Sequence, residues 1–194
     1  MKPVAVLFIY DKAIDKRWLQ RTVERVSQRL EASAGLTIRA RYERHDLQPR
    51  FAEYEPETKT IERWIPFSWM RENVGPLTRG EHAAMLCLNR KRWPSDSIVA
   101  GRCEYSPYNG QTYLIHLRAE KGEKRGKYEL AEDSIFHELL HTFEAQTGHF
   151  HIVHKNVNDL EAAARELKVI LDRSASLAAT IAILTKQIAA LLRR

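Results

Sequence analysis

The sequence predicts an α+β protein: a mixed sheet with helices packed against it, then a C-terminal helical extension. Three observations carry this. The chain opens as strand, helix, strand; further apolar runs of strand length follow between turn residues; and the last third has helical periodicity. With 194 residues and 44% apolar content the chain can build a core, which we expect in residues 1–157, with 158–194 as the helical extension.

Val4 to Tyr10 is a continuous apolar run, expected as a strand covered on both faces. A helix is expected from Asp15 to Ala34, with Trp18, Leu19, Val23, Val26 and Leu30 as its stripe and Gly35 as its cap. Leu36 to Tyr42 alternates apolar and polar residues, a half-buried strand, so the opening forms a parallel crossover. Residues 43–59 are polar, carry Pro49 and Pro56, and read as loop. Ile61 to Met70, with Pro66 in its middle, reads as a short broken helix. Ala83 to Leu88, Ile98 to Tyr105 and Thr112 to Leu117 read as strands. Asn109-Gly110 is a favoured hairpin turn, and Arg118 to Lys127 reads as a charged loop.

A helix is expected from Leu130 to Thr147, with Glu132 and Asp133 suiting its positive end and Gly148 ending it. His149 to Asn156 reads as loop or short strand, and Asn158 as the N-cap of the next helix. Leu160, Leu167 and Leu171 mark that helix's stripe, and a break is expected at Asp172 to Ser176. Beyond it, Leu177, Ile181, Leu184, Ile188 and Leu191 repeat at four-three spacing, a coiled-coil-like seam suited to a homodimer or a packed lid.

The net charge of +6 comes from scattered lysines and arginines without aromatic interleaving. A solvated surface accounts for them better than a nucleic-acid interface does. Cys87 and Cys103 do not make a disulfide framework and read as two buried thiols. The N-terminal apolar run lacks a cleavage site, and no stretch reads as a membrane span, so a cytoplasmic protein without membrane partners is expected.

One pattern carries chemistry. His137-Glu138-Leu139-Leu140-His141 falls on an expected helix, and five of the eight histidines lie between His137 and His154. Residues four apart share a helix face, so His137 and His141 can offer two imidazole nitrogens to one Zn2+ ion. Glu138 can then act as the general base on a water activated by that metal. The function this predicts is a zinc-dependent endopeptidase with a protein or peptide substrate. The competing expectation is a basic, non-enzymatic binding or assembly protein, associated with nucleic acid, whose metal site is structural or accidental.

The pattern resembles the zincins, the His-Glu-x-x-His zinc metallopeptidases, and the element order from Val4 to His151 is similar to that of the metzincins. The resemblance implies that the strand before the motif helix, Thr112 to Leu117, is a sheet edge that binds substrate as an added strand. It also implies a third zinc ligand. Where metzincins have Gly and His, this chain has Glu144 and Thr147, yet Gly148-His149-Phe150-His151 keeps a Gly-x-x-His ending four residues later. His151 is the ligand this implies. The gluzincin pattern points instead to Glu161, twenty residues after His141, and His149, His154 and Asp159 remain in reach. Glu144 shares the ligands' helix face and is expected to steady a ligand or to form a surface ion pair. Tyr108, Tyr113 and Tyr128 are candidates for the phenol some zincins direct at the oxyanion.

Overall fold

The computed structural model describes residues 3–46, 53–55, 60–62, 67–89, 101–103, 112–124 and 126–191. It is an α+β architecture. Strands β1 (Val4–Tyr10) and β2 (Ile38–Arg44) are parallel neighbours joined by helix α1 (Lys16–Ala34). Asp15 caps α1 by accepting from the Trp18 N–H at 3.0 Å, and Gly35 ends it at φ 62°, a left-handed conformation that costs glycine little. The stripe behaves as its spacing requires: Leu19, Val23, Val26 and Leu30 are buried. Trp18 stays at the surface edge, where Arg21 and Arg25 lie over its ring.

The expected loop at 43–59 contains more order than its polarity suggested. β2 runs on to Arg44, and a short hairpin pairs β3 (Glu53–Glu55) with β4 (Thr60–Glu62). The broken helix expected at Ile61 to Met70 is α2, displaced to Phe67–Asn73, beyond Pro66. β5 (Ala83–Asn89), β6 (Gly101–Cys103), β7 (Tyr113–Lys121) and β8 (Tyr128–Glu129) complete the strands. β7 continues through Arg118 to Lys121, where loop was expected, because β8 turns back to pair with its end. The basic segment from Arg90 and the Asn109-Gly110 turn lie outside the described residues.

The main sheet runs β2-β1-β5-β7-β6, with β8 on the end of β7. All its neighbours along that path are parallel except β6, which runs antiparallel to β7. This corrects the expectation for Thr112 to Leu117. From Tyr113 onward that segment lies in β7, next to β5 on one side and with Ile115 to Leu117 paired to β6 on the other, and among the described residues β6 is the outermost strand at that end of the sheet. β7 is buried almost throughout its first seven residues, which gives it the continuous apolar character of an interior strand.

Helices α3 (Glu132–Thr147), α4 (Ile152–Lys155) and α5 (Leu160–Leu191) follow. α1, α3 and the start of α5 cover one sheet face, with Phe8, Ile115, Phe136, Leu140 and Leu167 in the core between. α2 covers the other face, with Met70 and Val74 against Leu7, Ile9, Leu86 and Leu114. Arg29 of α1 ties the helical layer together. It donates to Glu132 and Asp133 of α3 at 2.9 and 2.7 Å and to Glu161 of α5 at 2.7 Å, and lies over the Phe136 ring. Cys87 and Cys103 are buried and are not joined in a disulfide.

α5 differs from expectation in three ways. Asp159, not Asn158, caps it, accepting from the Ala162 N–H at 2.8 Å. No break occurs at Asp172 to Ser176. And Leu160, Ala163, Ala164 and Leu167 belong to the main core, so the helix leaves the domain only near residue 172 rather than at 158. Among the described residues, no helix is long and apolar enough to cross a membrane.

Candidate metal centre

α3 presents His137, Glu138 and His141 on adjoining positions of its inner surface. Its apolar neighbours, Ile135, Phe136, Leu139 and Leu140, are fully buried and fix the helix's rotation against the sheet. The Nε2 atoms of His137 and His141 lie 3.0 Å apart. His154 joins them, its ring centroid 5.5 Å from that of His137 and 4.8 Å from that of His141. One nitrogen from each of the three lies within 4.8 Å of the others. Ligands around a tetrahedral zinc at about 2.1 Å stand about 3.4 Å apart, so the three imidazoles fit such an ion with small side-chain rotations.

His154 arrives by a specific path. Gly148 ends α3 in a left-handed conformation, φ 71°, and its N–H returns to the Glu144 carbonyl. His151 then takes φ 80°, the one positive φ at a non-glycine residue among those described, and the chain reverses into α4. Ile152 and Val153 bury themselves in the core, which turns His154 of α4 toward the α3 histidines.

Glu144 joins the two sides of the site. The His141 Nδ1–H donates to Glu144 Oε2 at 2.6 Å, and the Val153 N–H donates to Oε1 at 2.8 Å. The carboxylate is 1% exposed, so the surface ion pair expected as one reading is replaced by a buried support. With its proton on Nδ1, His141 turns the Nε2 lone pair inward, the tautomer a metal ligand needs. Burial, joined by the neighbouring His141 and His154 imidazoles and opposed by Glu144, lowers the pKa of His137 to about 4. Burial lowers His141 as well, against the opposing pull of Glu144. Both rings are therefore held neutral, as coordination requires.

Glu138 sits between α3 and the edge strand. Gly101 of β6 lies so close that a Cβ there would be 2.6 Å from Glu138 Cγ, a contact real side chains do not make. Burial raises the carboxyl pKa to about 8, and a backbone hydrogen bond from Cys103 opposes the rise. A cation beside it would favour the ionised form. A cavity of about 400 Å³ opens against His137 and Glu138, walled by Gly101, Ser134 and Glu161 among others.

The other sequence candidates fall elsewhere. His151, the third ligand the resemblance implied, is exposed at the start of α4 and is not in the cluster. His149 is exposed, its ring against the Thr147 carbonyl at 2.8 Å. Glu161 is held by Arg29 across the cavity, and Asp159 caps α5 and lies 3.7 Å from Arg165. Tyr113 packs on His82, Tyr128 pairs with the segment before α1, and Tyr108 is outside the described residues. Gly101 was missed because nothing in a lone glycine announces a partner distant in sequence. His154 was within the histidine-rich segment, but a spacing of thirteen residues from His141 matches no helical repeat. No family model, curated protein or solved structure matches this chain.

Proposed function

We propose that the protein is a zinc-dependent endopeptidase, with His137, His141 and His154 holding the ion and Glu138 as general base. The observation that carries this is the convergence of three imidazoles, one of which, His137, lines a cavity together with the Glu138 carboxylate and Gly101 of β6. Three neutral nitrogens would hold zinc while leaving it room for water or substrate, the donor set of catalytic rather than structural zinc. Zinc bound there supplies Lewis acidity, polarising a scissile carbonyl and lowering the pKa of a water from about 15.7 to about 7.

The chain's own groups do the rest. Glu138 accepts the proton of the attacking water and passes it to the leaving amine, so no covalent enzyme intermediate is needed. Gly101 leaves room for that carboxylate, and the Cys103 N–H holds it. Glu144 keeps His141 in its ligand tautomer. The edge of β6 facing away from β7 offers backbone hydrogen bonds to an extended peptide, which would then lie across the mouth of the site.

The test combines metal analysis with a peptide library. One zinc per chain and cleavage within peptides are expected from the wild type. Glu138→Gln should keep the zinc and the fold and lose turnover. Wild-type cleavage by that variant would end this reading.

A further inference from the structure

We infer that the outer half of α5 is a dimerisation segment, pairing in parallel with the same segment of a second copy of this chain. Residues 172–187 are exposed without exception, and the helix runs unbroken from the core to Leu191. From residue 172 onward it extends about 30 Å, at 1.5 Å per residue. Yet its composition is that of a buried surface. Leu177, Ile181 and Leu184 are 62%, 54% and 51% exposed, and Ile188 and Leu191 continue their spacing. A single helix of this length draws most of its stability from packing, so an apolar stripe left in water is unfavourable both to the helix and to its hydration.

The choice of occupant rests on which residue stands where. In heptad register, Ile181 and Ile188 fall at a, and Leu177, Leu184 and Leu191 at d. β-branched residues at a with leucine at d favour two parallel strands. Between Leu177 and Leu191 the flanking e and g positions are Ala178, Thr180, Thr185 and Gln187. None is charged, so identical copies meet in register without repulsion, and no oppositely charged partner is selected. The one charged residue between Ser174 and Leu191 is Lys186, at the outward f position. Other cations stand only at the ends of the segment, at Arg173, Arg193 and Arg194, so it lacks the basic row along its polar face that holds an amphipathic helix on an anionic membrane surface.

The domain leaves the seam accessible. At 3.6 residues per turn, the stripe lies roughly 80° around the helix from Leu160, Ala163, Ala164 and Leu167, the residues turned to the core. A second helix can therefore approach without displacing α1 or α3. This inference is independent of the peptidase reading, because the seam contributes nothing to the histidine cluster.

Sedimentation equilibrium of the full chain tests it. The mass should rise with concentration from 22.5 kDa toward twice that value. The double variant Ile181→Lys, Leu184→Lys should stay monomeric at every concentration with the melting of its domain unchanged, since both residues are exposed in the single chain. Leu177→Cys should form a covalent dimer on oxidation, as only a parallel, in-register pair brings the two thiols together. Any of three results would overturn the proposal: a wild type that stays monomeric, including one that instead floats with phosphatidylcholine–phosphatidylserine vesicles; a double variant that still dimerises; or a dimer in which Leu177→Cys does not cross-link.

Discussion

Glu144 grips His141 through one oxygen and the backbone of Val153 through the other, at 2.6 and 2.8 Å. One buried carboxylate thus sets the tautomer of the second proposed ligand and the position of the short helix that carries the third. It links two segments that α3's own hydrogen bonds do not connect.

Replacing it separates support from coordination. Glu144→Ala leaves the Val153 N–H and the His141 Nδ1–H without their partner, at about 1–3 kcal/mol for each group that water cannot reach. We expect chemical denaturation of the metal-free protein to show the loss, and competition with a chromophoric chelator to show zinc affinity lowered about 10- to 100-fold. Glu144→Gln should recover part of both, because an amide oxygen can accept only one of the two bonds. Unchanged affinity in Glu144→Ala would remove the positioning role.

The identity of the third ligand is tested by paired variants. His154→Ala should weaken zinc binding by more than the Glu144 change, beyond about 100-fold. His151→Ala should leave it near the wild-type value, since that ring is outside the cluster. Equilibrium dialysis decides between them, and the reverse order would restore His151 to the site.

Gly101→Ala probes the contact between the edge strand and the proposed base. The added methyl would overlap Glu138 Cγ and Oε1 at 2.6 and 2.7 Å, and both are hemmed in by strand and helix. Glu138 must move, and displacement of a catalytic group by about 1 Å costs on the order of 100-fold in rate. The expected result is a large fall in kcat with zinc content unchanged. Wild-type kcat would mean that Glu138 acts from some other position.

His82 gives the fold an acid-sensitive point away from the ligands. Its Nε2 lies 2.7 Å from the Thr142 hydroxyl, its ring stacks on Phe143, and burial lowers its pKa to about 4. The unfolded chain, with a histidine pKa of about 6.5, binds this proton first. Stability is therefore whole above about pH 6.5 and falls as pH drops toward 4, by about 3 kcal/mol for this group. Urea melts of the metal-free protein at several pH values should show that slope. His82→Gln should reduce it, with His137 and His116, whose pKa values burial lowers likewise, supplying the remainder, and an unaltered slope would assign the acid sensitivity to those other groups.

The local elements were legible in the sequence because each rests on near neighbours in the chain. The apolar run of β1, the stripe and caps of α1, and the placing of His137, Glu138 and His141 on one helix follow from side-chain periodicity and from glycine's tolerance of positive φ. Four-three spacing likewise puts Leu177, Ile181 and Leu184 on one side of the outer half of α5, where all three are exposed.

What the chain order left open is whatever depends on strand pairing and on the packing of distant segments. Among the described residues β6 is outermost and β7 lies inside it, because β6 pairs antiparallel with β7's outer side; an apolar run reads much the same in either place. Glu144 is a buried support rather than a surface charge because α4 folds over it. Arg29 draws Glu161 into an ion pair across the cavity, and the turn at His151 delivers His154 to the cluster. Periodicity specifies which face of an element is apolar, but only the assembled core determines what that face meets.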